Sequence, residues 1–273
     1  MSDFLQEMAE SSIARARAAK EKRTVTGLDS RVSSAQPPVP LPFSDAGFDV
    51  IAEAKLASPA EGKLVQGPAS VDRVVALAET YAANRAAAIS VLTEPTRFFG
   101  HLEHLEAVCD AVSLPVMRKD FLVDPIQVLE ARAAGTSGVL LIARMLPGDL
   151  LEEMTDQALD LGMFVLVEVF DRSDLETAVR VFDREVLVGV NCRDLATLAI
   201  DQSRFESLAP HLPDYLPAVA ESGITTLEDV TSVADLGYSM ALVGSSLVSH
   251  DDPGAALTGL ITAGRDRVSG VTR

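Results

Sequence analysis

From Asp49 onward, short apolar runs alternate with amphipathic segments eight times, and this alternation restricts the possible folds more than any other feature of the chain. The strand-like runs are "VIAEA", "AAISVL", "PVMRK", "GVLLIA", "FVLVEV", "VLVGVN", "PAVAES" and "MALVG". Between them lie segments of helical period such as "SVDRVVALAETYAANR", "DPIQVLEARAAG" and "TTLEDVTSVADLG", several with Ser, Asp or Thr at the start and Gly at the end. Strands apolar on both faces, each followed by a helix, require a parallel sheet covered by helices. Eight such units in about 220 residues match an α/β fold of the (β/α)8 TIM-barrel type. A doubly wound open sheet usually has fewer strands and a Gly-rich turn after the first, where this chain reads "EAKLASPAEG" with no GxGxxG.

The first 45 residues differ. Phe4, Leu5, Met8 and Ile13 have helical spacing, a basic run from Arg15 to Arg23 follows, and then comes the turn-rich "SSAQPPVPLPFSD". This predicts an N-terminal helix and Pro-rich linker over 1–45, with the basic run as a solvated face, and a catalytic barrel over 46–273. With 48% hydrophobic residues in 273, the chain can build a large core. Its 23 Lys+Arg against 40 Asp+Glu leave a net charge of -17, which argues against nucleic acid or an anionic membrane surface as partner. Cys109 and Cys192 show no metal-ligand spacing, and no apolar run has the length of a signal peptide or a membrane span, so a cytoplasmic protein is expected.

In a parallel barrel the active site lies at the carboxyl ends of the strands. In order, those ends carry Glu53 and Lys55; Thr93 and Glu94; Arg118, Lys119 and Asp120; Arg144; Glu168; Asn191 and Arg193; Glu221, Ser222 and Gly223; Gly244 and Ser245. Desolvating that many charges without pairing would cost several kcal/mol per ion, so the cluster predicts a wet, functional mouth, with Lys55, Lys119, Arg144 and Arg193 as a local positive field. "ESGI" and "VGSSL" place Gly and Ser where bare amides can approach an anion, and a phosphorylated small molecule is the expected partner. Lys55 and Lys119, expected on opposite sides of the mouth, are ammonium groups whose pKa a partly desolvated, cation-rich site would lower toward general-acid use. Glu168, between valines, is the expected base. His101 and His104 lack a completing ligand and read as an exposed helix face, and the serines lack a His partner, so neither a metal nor a Ser nucleophile is expected.

"VIAEAKLASP", "ISVLTEPTRFFG", "PVMRKDFLVDPIQVLEARAAGTSGVLLIARML", "VGVNCRDLATLAID", "VAESGIT" and "LVGSSL" resemble, in order and spacing, the motifs of the indole-3-glycerol phosphate synthase family. The resemblance implies a carboxy-lyase of tryptophan biosynthesis that needs no metal or cofactor. It would close and decarboxylate 1-(2-carboxyphenylamino)-1-deoxyribulose 5-phosphate. It further implies Lys119 as general acid with Glu53 beside it, Lys55 on the substrate carboxylate and as a second proton donor, and Glu168 with Asn191 in the dehydration. Glu221 would line the same face, Phe98 and Phe121 would pack on the aromatic ring, and Arg193 would orient the polar groups. Ser58, Ser222, Gly223, Gly244 and Ser245 match phosphate-side positions.

Three places depart from the family pattern, one of them the unusually proline-rich linker after the N-terminal helix. "SPAEG" has Ala60 and Glu61 where SPSxG is usual, and His101 follows Gly100 where the family has Ser. Other readings are a related phosphosugar barrel such as phosphoribosylanthranilate isomerase, which pairs Cys with Asp, and a catalytically silent phosphate-binding barrel. Lys and Glu at the strand ends weigh against the first, and intact Lys55, Lys119, Glu168 and Asn191 against the second.

Overall fold

The computed structural model describes residues 3–24, 27–44, 47–60, 62–64 and 70–271. Eight parallel strands close in chain order into a barrel: Asp49–Ala54, Ala88–Leu92, Val116–Lys119, Gly138–Ile142, Phe164–Val169, Leu187–Asn191, Ala218–Glu221 and Met240–Val243. All eight expected strands form. The first pairs with both the second (Glu53 opposite Ser90) and the eighth (Ala52 opposite Val243), which closes the ring and leaves no free edge. Alternation sends Val50, Ala52, Val139, Leu141, Val165 and Val167 outward into the layer under the helices, and Ile51, Met117, Leu166 and Val219 inward to fill the barrel.

The covering helices include α3 (Val71–Ala83), α4 (Leu102–Ala111), α5 (Pro125–Ala133), α6 (Gly148–Asp160), α7 (Arg172–Ala178), α8 (Ser203–Leu208), α9 (Leu227–Asp235), the short α10 (Ser245–Val248) and α11 (Pro253–Val271). Local chemistry marks their starts: Asp124 and Thr226 each complete a capping box with the residue three positions on.

The N-terminal segment is more structured than the turn-rich sequence implied. α1 (Asp3–Lys22) is followed by a second helix, α2 (Leu28–Ser34), where an extended chain was expected. Leu28 and Val32, one turn apart, pack on Ile126, Leu129 and Ala133, which gives this stretch an apolar reason to coil. The basic run is also not simply solvated. Arg15 grips buried Asp120 with two hydrogen bonds (2.7 and 2.9 Å), and Lys20 reaches Asp124 at 2.5 Å. Gln127 adds a buried bond to Ser12 at 2.9 Å. These contacts lay α1 across the carboxyl ends of the strands, while the linker runs beneath, its Val39 amide bonded to Ser137 Oγ at 2.9 Å.

Candidate active site

Odd-numbered strands place Glu53, Lys119, Glu168 and Glu221 inward, each two residues beyond the apolar layer of Ile51, Met117, Leu166 and Val219. The barrel core thus ends in a layer of three acids and one lysine, above which opens a cavity of about 360 Å³. Glycines make the room. A β-carbon on Gly189 would lie 1.9 Å from Glu221 Oε1, and one on Gly244 would lie 2.2 Å from Glu53 Oε2.

Lys119 Nζ stands 3.2 Å from Glu168 Oε2 and 3.7 Å from Glu221 Oε2. Asn191 Nδ2 donates to the other Glu168 oxygen at 3.2 Å, and its own Oδ1 accepts the Arg193 amide at 2.8 Å, so the carboxylate is oriented from two sides. Lys55 pairs with Glu53 at 2.6 Å. The two lysines are not on opposite sides of the mouth: they follow the first and third strands, a quarter of the circumference apart.

Burial disfavours the Lys119 ammonium, but the charges of Glu168, Glu221 and Glu53 outweigh it and raise the pKa above the ordinary lysine value. The expected lowering by neighbouring cations is therefore reversed: this lysine rests charged among carboxylates. The perturbed acid is Glu221. Burial first, then the Glu168 charge, push its carboxyl well above the usual range against the pull of Lys119.

One wall is aromatic. Phe121 meets Phe98 (centroids 6.1 Å, tilted) and Phe4 of α1 (5.9 Å, edge-on). Glu94, fully buried, sets the Phe98 loop by accepting the amides of Thr96 (2.8 Å), Arg97 (2.7 Å) and Phe98 (3.2 Å). Asp120 anchors α1: besides Arg15 it accepts from Arg118 at 3.2 Å and Thr93 Oγ1 at 2.6 Å. Burial alone would raise its carboxyl, but Arg118 and Arg15 bring it down to about 2.

At the opposite wall, Ser222 (φ 66°) and Gly223 (φ 73°) are successive left-handed residues that line the cavity. Gly244 precedes α10, and the buried Ser245 hydroxyl has no hydrogen-bond partner among the described residues. Ser58, Pro59 and Ala60 close the rim. All fourteen residues to which the family resemblance gives a role line this one cavity, whereas Thr93, Glu94 and Arg118 at the strand ends do not.

A family model described as indole-3-glycerol phosphate synthase matches residues 5–260. The chain belongs to the indole-3-glycerol phosphate synthase family. Curated relatives of that name include one from Nocardioides sp. (strain ATCC BAA-499 / JS614), 46% identical over 242 residues, 87% of this chain and 91% of that one. Another, from Mycobacterium avium (strain 104), is 41% identical over 254 residues, 92% of this chain and 91% of that one. Among solved structures, 3-hexulose-6-phosphate synthase from Salmonella typhimurium superposes with a TM-score of 0.64 at 14% identity, covering 81% of this chain and all of that one. Phosphoribosylanthranilate isomerase from Thermotoga maritima gives 0.54 at 14% identity, covering 80% and 99%. At such identities the two structures speak for the barrel alone.

Within the family frame, three expectations need correction. Arg144 does not join the mouth: it pairs with Asp171 (2.6 Å) and Asp174 (2.7 Å) and lies over the Phe170 ring, so it braces α7. The mouth is therefore not a positive patch, because Lys55, Lys119 and Arg193 face the carboxylates of Glu53, Glu168 and Glu221. His104 is buried rather than on an exposed face, and burial lowers its pKa; His101 caps α4 without a side-chain cap bond. Phe4 and Arg15 were missed as parts of the site, since they become so only when α1 docks; Asp120, expected at the mouth, turns out to be the anchor that Arg15 finds. Of the departures from the family pattern, Ala60 lines the rim, and Glu61 lies outside the described residues. The isomerase alternative needs a cavity thiol, yet Cys109 and Cys192 lie in or against the outer core, and burial pushes both up to about 12.

Proposed function

We propose that this chain converts 1-(2-carboxyphenylamino)-1-deoxyribulose 5-phosphate to indole-3-glycerol phosphate, carbon dioxide and water. The observation that carries the reading is Lys119, an ammonium held in the cavity floor between Glu168 and Glu221, with aromatic side chains at one wall and the amide-lined turn at another.

The conversion is redox-neutral, and positioned acids and bases suffice for each step. The ring carbon bearing the carboxylate attacks the C2' ketone, and Lys119 delivers a proton to the ketone oxygen as the carbon–carbon bond forms. Glu53, 2.6 Å from Lys55, keeps that lysine at the rim, where it meets the substrate carboxylate and serves as a second proton donor. Loss of carbon dioxide returns the bonding electrons to the ring. Glu168, oriented by Asn191, then takes the C1' proton as the C2' hydroxyl, protonated by Lys55, leaves as water, with Glu221 on the same face and Arg193 holding the Asn191 side. Phe98 and Phe121 pack on the anthranilate ring. Ser58, Ser222, Gly223, Gly244 and Ser245 take the phosphate, whose oxygens satisfy the orphan Ser245 hydroxyl.

Residues 46–273 form the catalytic unit, and residues 1–45 serve as its cover. Two free cysteines suit a reducing, cytoplasmic setting. Lys119→Ala tests the assignment: indole fluorescence should cease to develop while substrate binding, followed by calorimetry, persists. A near-normal kcat would remove Lys119 from the acid role.

A further inference from the structure

Gln202, an exposed residue just before α8, makes two hydrogen bonds that belong to the far side of the Ser222–Gly223 turn. Its Nε2 donates to the Gly223 carbonyl oxygen at 2.6 Å and to Asp229 Oδ1 at 3.0 Å. Both partners are acceptors, so both amide hydrogens are used and the orientation of the amide is decided. Asp229 is itself anchored, its Oδ2 accepting the Thr225 amide (2.8 Å), the Thr225 hydroxyl (2.9 Å) and the Thr226 amide (2.8 Å). Gln202 thus stands on a fixed post.

A trans peptide directs its carbonyl and the following N–H to opposite sides. Holding the Gly223 oxygen outward therefore turns the Ile224 N–H toward the cavity, which Ile224 lines. Neither the Gly223 nor the Ile224 amide donates to another described residue. The turn needs such a brace, because Ser222 is left-handed at φ 66° without being glycine. The space behind it is also filled: a β-carbon on Gly223 would meet Ile200 Cγ2 at 2.9 Å and Gln202 Cγ at 3.3 Å. Ile200 in turn bridges Arg193, so the brace joins the turn to the segment that follows Asn191.

We propose that Gln202 is a positioning residue for the substrate phosphate, acting through the Gly223 carbonyl to hold the Ile224 amide toward the anion. The proposal rests on the reading that the Ser222–Gly223 turn receives the phosphate. It concerns a residue outside the cavity, whose side chain touches no substrate.

The test compares Gln202→Ala and Gln202→Glu with wild type, measuring KM, kcat and the inhibition constant of inorganic phosphate. Loss of the net contribution of one or two hydrogen bonds should raise KM and the phosphate inhibition constant together by about five- to tenfold in Gln202→Ala, with kcat near wild type. Gln202→Glu should be worse than Gln202→Ala, because a carboxylate there presents an acceptor to the Gly223 carbonyl and a like charge to Asp229. A role in filling space alone would make Gln202→Glu resemble wild type, and that result overturns the proposal, as does an unchanged KM and inhibition constant in Gln202→Ala. Thermal midpoints, expected to fall by no more than a few degrees, exclude misfolding as the cause. If phosphate fails to compete with substrate in wild type, the phosphate assignment falls and the proposal with it. If phosphate competes and the variants do not move it, only the role of Gln202 falls.

Discussion

Asp120→Asn removes one charge from the junction that holds α1 over the cavity, and its cost follows from the geometry. The carboxylate is fully buried and accepts from Arg15, Arg118 and Thr93. Its pKa falls from 3.8 to about 2. At 1.36 kcal/mol per pK unit, that difference is worth about 2 kcal/mol of folding stability. Because the folded value is depressed, the contribution is complete at pH values above the unfolded pKa and is lost as pH falls from about 4 toward 2. At neutral pH the variant also leaves the Arg118 guanidinium buried with a weaker partner, so its total loss should be about 3 kcal/mol. Urea denaturation of both proteins at pH 7, 5, 4 and 3 measures it. The gap should hold from pH 7 to 5 and narrow below 4. A gap under about 1 kcal/mol at pH 7, or one that does not narrow in acid, would refute the reasoning that this ion cluster fastens the helix.

Two further outcomes follow from the acidic layer. Glu221 has a raised folded pKa, so the folded state binds more protons than the unfolded chain above the ordinary glutamate value, and stability declines as pH rises. Glu221→Gln should therefore lose activity yet gain stability relative to wild type, more at pH 8 than at pH 5; equal denaturation midpoints at both would contradict it. Gly189→Ala places a methyl 1.9 Å from the Glu221 Oε1 position, and displacing that carboxylate should lower kcat by at least about tenfold. A variant with normal kcat would show that Glu221 need not stand where it does.

How far the sequence reveals this arrangement depends on which residues carry each part. The barrel was legible because the apolar runs are short, nearly uniform and separately capped, and the strand-end rule then gathered Glu53, Lys119, Glu168, Asn191 and Glu221 before any contact was known. What escaped depended on docking. Nothing in "SSIARARAAK" says that Arg15 will find a buried aspartate 105 positions away, or that Phe4 will share a wall with Phe121. The second N-terminal helix escaped because its apolar signal is only Leu28 and Val32. The pKa of Lys119 was misread for a related reason: strand-end cations could be counted, whereas the three carboxylates converging on one ammonium belong to the closed ring. Arg144 shows the same weakness, since a strand-end arginine can as well turn outward to brace the next helix.

Accounting for an anionic substrate in a chain of net charge -17 does not require a positive patch. The cavity offers, at one wall, amides and a hydroxyl that have no partner among the described residues, and lysines that already hold carboxylates and can exchange one for the substrate's. The most direct test of the account uses substrate labelled in its carboxylate carbon, with released carbon dioxide and indole fluorescence counted in the same reaction. One labelled carbon dioxide for each indole-3-glycerol phosphate is expected from wild type, and neither from Lys119→Ala. Bound substrate with neither product in wild type, or indole formed with the label retained, would contradict it.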